Sequence, residues 1–190
     1  MTATETLADA PCVLDMEASG FGRHSYPVEV GVALPDGRAL CTLIRPQPEW
    51  THWDDSAQSL HGISRETALL HGRSARAVAE LLNRELAGRT VYTDAWAHDY
   101  AWLATLFEAA GLRPAFKLEH VRTLLDEAQT NSFDEALRSV ADELRVTRHR
   151  ASNDARMLQL AVVRLQRGLS ASAPGLVPPS GGAAAGAARS

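Results

Sequence analysis

A chain of 190 residues, 45% apolar and 22% charged, is long enough for one domain with a proper core and ordinary in composition for a soluble globular protein. No run approaches the roughly 18 apolar residues of a membrane span, and residues 1–10 carry Glu5 and Asp9 but no basic residue, unlike a secretory leader; no membrane partner and a cytoplasmic location are expected. The net charge of −4 argues against a broad electrostatic footprint on duplex DNA, though not against an enzyme that meets a short piece of backbone.

After an N-terminal extension (1–10), Cys12 to Glu17 reads as a first strand, followed by a small-residue turn at Gly20–Gly22. Pro27 to Leu34 and Arg38 to Ile44 flank Pro35-Asp36-Gly37, a hairpin signal. Cys12 and Cys41 fall in these strands and read as small core residues rather than a disulfide framework. Arg45 to Asp55 is a long loop bearing Pro and Trp, with short helical pieces around His61-Gly62-Ile63. Ser74 caps a helix whose Val78, Leu81, Leu82 and Leu86 form one stripe, and Arg89 to Thr93 is a fourth strand. A helix from about Ala97 stops at Gly111, and Phe116 to Glu119 is a short fifth strand. Val121 to Ala128 continues as a helix. Ser132 and Glu135 then form a capping-box pattern, and a last helix runs from about Asn153 to Gly168. Residues 169–190 are Ala, Gly, Ser and Pro with almost no charge, a disordered tail by composition. Three antiparallel strands followed by helices alternating with two more predict an α/β fold over 11–168, a five-stranded mixed sheet flanked by helices.

Three patches carry chemistry. Asp15 and Glu17 project from the same face of the first strand, and two adjacent like charges are costly to bury unless a cation lies between them. Oxygen ligands favour a hard cation such as Mg²⁺ or Mn²⁺. Alone the pair is weak, since this composition yields Asp-x-Glu about 0.7 times by chance. The second patch is Asp99, on the first turn of the helix after strand four; the third is His149 and Asp154, five residues apart where the last helix begins. Four acids and a histidine suit a two-metal phosphoryl site in which the histidine takes a proton from water.

In order and spacing these patches resemble the DEDDh 3′–5′ exonucleases, a family that includes ribonuclease T, oligoribonuclease and the proofreading subunit of bacterial DNA polymerase III. The family's Asp-x-Glu-x-x-Gly matches Asp15, Glu17 and Gly20; its second motif matches Asp99, Trp102 and Leu103; His-x-Ala-x-x-Asp-Ala matches His149, Ala151, Asp154 and Ala155; and a His-Gly-Ile signature matches His61, Gly62 and Ile63. The resemblance implies a ribonuclease H-like fold and removal of 3′-terminal nucleotides as 5′-monophosphates. It implies two Mg²⁺ or Mn²⁺ ions held by Asp15, Glu17, Asp99 and Asp154, His149 as general base, and substrate contacts from Ala18, Phe21 and His61. Single-stranded or short RNA or DNA 3′ ends are the implied partners, RNA slightly favoured, with a homodimer as in ribonuclease T and oligoribonuclease. One departure stands out: Asp94 and Ala95 occupy the places of the family's usual His and Asn before the second motif.

Other assignments compete. A non-catalytic nucleic-acid-binding or polymerase-accessory module, or a small-nucleotide phosphodiesterase, could use the same fold. Phe21 reads equally as core or as stacking platform, and His61 leans towards the cleft over organising its loop. Trp50, Trp53 and Trp96 read as core, Asp94 as a helix cap, and Arg148 and Arg150 as either phosphate contacts or solvated surface.

Overall fold

A computed structural model of the chain describes residues 10–145 and 148–168. Of the expected N-terminal extension only Ala10 is among them, and it is buried; the tail expected at 169–190 lies outside. Three strands open the fold: β1 (Cys12–Ala18), β2 (Pro27–Ala33) and β3 (Ala39–Leu43). Two short helices follow, α1 (Asp55–His61) and α2 (Arg65–His71), then α3 (Ala75–Leu86), β4 (Thr90–Thr93), α4 (Trp96–Ala110) and β5 (Lys117–His120). A 3-10 turn at Val121–Leu124 leads to α5 (Glu127–Asn131), α6 (Phe133–Leu144) and α7 (Ala151–Gln166). The sheet order is β3-β2-β1-β4-β5. β1 pairs antiparallel with β2 and parallel with β4, which makes the sheet mixed, as the hairpin followed by helix-linked strands predicts.

Alternation along β1 sorts the core into two layers. Leu14 and Met16 join Val30 and Val32 of β2 in a core with α3 and α4, while Val13 packs on the other face against Ala155, Leu158 and Val162 of α7. With helices on both faces, β2 is buried at every position, and its one glycine has a steric reason. A Cβ on Gly31 would lie 2.1 Å from the Ala151 carbonyl carbon and 2.2 Å from Ser152 N, so the start of α7 rests directly on the strand.

Four local expectations are corrected. The capping box forms at Asp126 and Gln129, which starts α5; Ser132 makes no side-chain cap, because its residue is already helical and its N–H already bonds the carbonyls of α5. Cys12 is buried, but Cys41 is exposed on the edge strand β3, where its thiol reaches Glu29 Oε1 at 3.4 Å. Trp50 and Trp53 pack on Tyr26, whereas Trp96 is exposed, stacked on Tyr100 one turn along α4. Asp94 is not the cap of α4: the residue before the helix is Ala95, whose N–H donates to Thr93 Oγ1 at 3.2 Å.

Candidate active site

Asp15 and Glu17 share the face of β1 that Val13 turns towards α7. A bulge follows at once: Glu17 pairs with Glu29, but Ala18 pairs with Pro27, and the chain turns away through Gly20. Gly20 has φ of +147°, and a Cβ there would lie 2.7 Å from His52 Cε1 and 2.8 Å from Asp54 Cβ, so both backbone and packing demand glycine. β1 and β4 run parallel, which places Asp99, in the first turn of α4, beyond the same end of the sheet as Asp15. Asp154 lies in the first turn of α7, where the helix dipole favours a carboxylate. Just before α7, His149 adopts the left-handed region at φ of +60°, and its backbone N–H donates to Asp154 Oδ2 at 2.7 Å.

These five side chains line one cleft of about 270 Å³, the scale of a single small ligand rather than a duplex end. One ligand atom each from Glu17, His149 and Asp154 lies within 4.8 Å of the others. Asp99 is fully buried and accepts a short hydrogen bond from the Thr93 hydroxyl. Its other oxygen, and Oδ1 of Asp154, are buried with no partner among the described residues. Burial, reinforced by Asp99, Glu17 and Asp154, raises the Asp15 carboxyl well above its usual range. Burial and then Asp154 push Glu17 up to about 8, and burial pushes Asp99 to about 7 against the Thr93 hydrogen bond. Burial also raises Asp154, opposed by the His149 N–H. Crowded carboxylates with orphaned oxygens fit one or two hard cations, which Asp15, Glu17, Asp99 and Asp154 would hold.

The substrate contacts divide. Phe21 is 64% exposed and lines the cleft, edge-on to His98 and tilted on Trp102. Ala18 is buried in the α3/α4 core. His61 is buried too, accepting from Ile63 N at 3.0 Å; burial lowers its pKa, and its neighbour Leu60 lines the cleft instead. Asp94 and Arg148 also line the cleft, so the departure from the family's second motif adds a fifth acid there.

Glu29 was missed. It is 0% exposed on β2, gripped by Arg150 Nε at 3.2 Å from both of its oxygens and by Arg150 Nη2 at 2.6 Å, and it accepts Ala151 N at 2.9 Å. The pair locks the entry of α7, and with it His149 and Asp154, to the sheet. A lone glutamate in an apolar strand, Val28-Glu29-Val30, was the available signal.

No protein-family model and no curated protein matches the chain. Solved structures do. Exonuclease I from Methylocaldum szegediense superposes with a TM-score of 0.59 at 14% identity, over 84% of this chain and 40% of that one. E. coli exonuclease I in complex with a dA16 oligonucleotide gives 0.62 at 13%, over 83% and 40%. The zinc ion-bound form of an E. coli exonuclease I–single-stranded DNA complex gives 0.62 at 13%, over 83% and 41%. The chain thus spans about two-fifths of the proteins it matches. The likeness is one of fold: the chain has the ribonuclease H-like α/β architecture of these exonuclease I structures, a five-stranded mixed sheet flanked by helices.

Proposed function

We propose that the chain is a divalent-metal-dependent 3′–5′ exonuclease that removes terminal nucleotides from single-stranded nucleic acid as 5′-monophosphates. The observation that carries this reading is the convergence of Asp15, Glu17, Asp99 and Asp154 from β1, α4 and α7 in one cleft with His149. A binding module has no need of four crowded carboxylates whose charges oppose one another, which weighs against the non-catalytic alternative. The exonuclease I structures with bound single-stranded DNA support the substrate class, and they bring DNA level with the RNA that the motif resemblance favoured.

Two bound cations would supply activation of water and stabilisation of the leaving oxygen. Asp15, Glu17, Asp99 and Asp154 would hold and orient that charge. His149, beside Glu17 and Asp154 in the cleft, accepts the proton released from the attacking water. Phe21 stacks on the terminal base, a sequence-tolerant contact worth about 1–3 kcal/mol. The cleft's volume of about 270 Å³ is on the scale of one nucleotide, and a duplex end would have to fray before its last phosphodiester entered.

The test is incubation of purified protein with 5′-labelled single-stranded DNA and RNA in Mg²⁺, Mn²⁺ or EDTA. Stepwise shortening from the 3′ end with metal, and none in EDTA, is expected. Absence of metal-dependent shortening of either polymer refutes the reading, and cleavage of dinucleotides alone favours the small-nucleotide phosphodiesterase.

A further inference from the structure

The two arginines that flank His149 go to different places, with the left-handed backbone of His149 (φ of +60°) between them. Arg150 turns to β2 and is held by Glu29, its Nη2 at 2.6 Å from Oε1. Arg148 lines the acidic cleft instead, and among the described residues it is the one Lys or Arg side chain that does so. It is exposed and forms no ion pair among the described residues. Burial raises the carboxyls of Asp94 and Asp154, and the charge of Arg148 is among the effects that oppose that rise. The guanidinium thus stands near both acids without being bound by either.

We propose that Arg148 binds the 3′-terminal phosphodiester of the strand, placing its guanidinium on the phosphate whose bond is cut. The proposal rests on the exonuclease reading, which requires that phosphate to lie in this cleft beside His149. Charge is the first argument. Asp15, Glu17, Asp94, Asp99 and Asp154 all line the cleft. Two divalent cations match four of these charges, which leaves one carboxylate and the incoming phosphate facing a single positive side chain. An arginine that served only to neutralise Asp94 would close on it as an ion pair, whereas Arg148 keeps its donors free. The shape of the group is the second argument. A guanidinium presents its N–H donors in a planar fork that matches two phosphate oxygens, and phosphoryl transfer spreads negative charge over those oxygens. His149 is the next residue in the chain, so the proton acceptor and this cation enter the cleft from the same short segment ahead of α7.

The experiment compares two 5′-labelled eight-nucleotide oligodeoxythymidylates by fluorescence anisotropy in Mg²⁺. One carries a phosphorothioate as its last linkage and the other an uncharged methylphosphonate; both linkages resist hydrolysis, so binding is read without cleavage. Metal-dependent shortening of the unmodified strand by the wild-type protein is followed alongside. Arg148→Ala should weaken binding of the phosphorothioate strand about tenfold, the low end for a hydrogen bond to a charged group, and of the methylphosphonate strand less than about twofold. Arg148→Lys should recover part of the loss, since it keeps the charge without the fork. The Tm should not change in either variant, because Arg148 is exposed and has no ion pair to lose among the described residues. Arg76→Ala, an exposed arginine of α3 paired with Glu80, serves as the charge control. Equal losses on the two strands would make Arg148 a source of general field and refute the contact. A loss no greater than that of Arg76→Ala, or no binding of the phosphorothioate strand by wild type, refutes it as well. A loss confined to the phosphorothioate strand, with no shortening by wild type in metal, keeps the contact and removes the exonuclease assignment instead.

Discussion

Arg150→Ala is the sharpest perturbation of the frame that holds the site. It leaves Glu29 fully buried with one strong donor, Ala151 N at 2.9 Å, in place of four contacts between 2.6 and 3.2 Å. Removing one partner of a buried ion pair costs about 3–5 kcal/mol, and because the Arg150 side chain is 43% exposed, water can reach part of the gap. The low end, about 3 kcal/mol, is therefore expected, a fall in Tm of about 6–12 °C for a chain of this size. Urea denaturation gives the free energy and calorimetry the Tm. Glu29→Gln should be milder, and the double variant should lose less than the sum of the two, since neither charge is then left unpaired. Activity adds a second readout: kcat should fall more than KM, because the pair fixes His149 and Asp154 rather than the substrate. A loss below about 1 kcal/mol in Arg150→Ala, or strict additivity in the cycle, would refute the claim that this pair fastens α7 to the sheet.

Stability should depend on pH and metal together. Asp15, Glu17 and Asp99 have folded pKa values raised above their ordinary carboxyl values, Glu17 to about 8 and Asp99 to about 7, so the folded state binds more protons between about pH 4 and 8. In EDTA, stability falls as pH rises through that window, and Mn²⁺ should raise the Tm more at pH 8 than at pH 5.5; equal shifts at both would sink the cluster as a cation site. Asp15→Asn and Asp154→Asn should abolish turnover and weaken metal binding, yet Asp15→Asn should raise the Tm at pH 8 in EDTA by removing one of the opposed charges. His149→Ala should lower kcat strongly with metal affinity kept, as measured by calorimetric titration; loss of the metal would make His149 a ligand instead of the base. Phe21→Ala, at an exposed ring, should leave the Tm unchanged and cost about 1–3 kcal/mol in kcat/KM on single strands.

The parts of the fold visible in sequence were those with a local period or turn. The β2–β3 hairpin carried Pro35-Asp36-Gly37, and the stripe of α3 placed Val78 and Leu82 in the core where the structure has them. Asp15, Glu17, Asp99, His149 and Asp154 were each weak signals alone and became legible as a set through their ordered resemblance to the family's motifs, and the structure brings all five to one cleft. What stayed hidden depends on contacts between distant segments. Glu29 and Arg150 stand 121 residues apart, and nothing local marks them as a pair. The close seating of α7 on Gly31 likewise appears only once both elements are placed. His61 carries a recognisable local signature, but a signature does not say whether the ring or its neighbour Leu60 reaches the cleft.

The register of β1 against β2 connects the Glu29–Arg150 pair to the acidic cleft. Glu17 stands directly opposite Glu29 across an antiparallel pair, where like charges destabilise a sheet. The fold resolves the conflict asymmetrically. Arg150 reaches in from the start of α7 and pairs with Glu29, while Glu17 forms no ion pair among the described residues and faces His149 and Asp154. One glutamate thus holds the third motif against the sheet, and the other is left with its charge directed into the cleft. With Arg150 held by Glu29, burial and the neighbouring acids still raise Asp15 and Glu17, and a cation bound between them would let both ionise together at neutral pH.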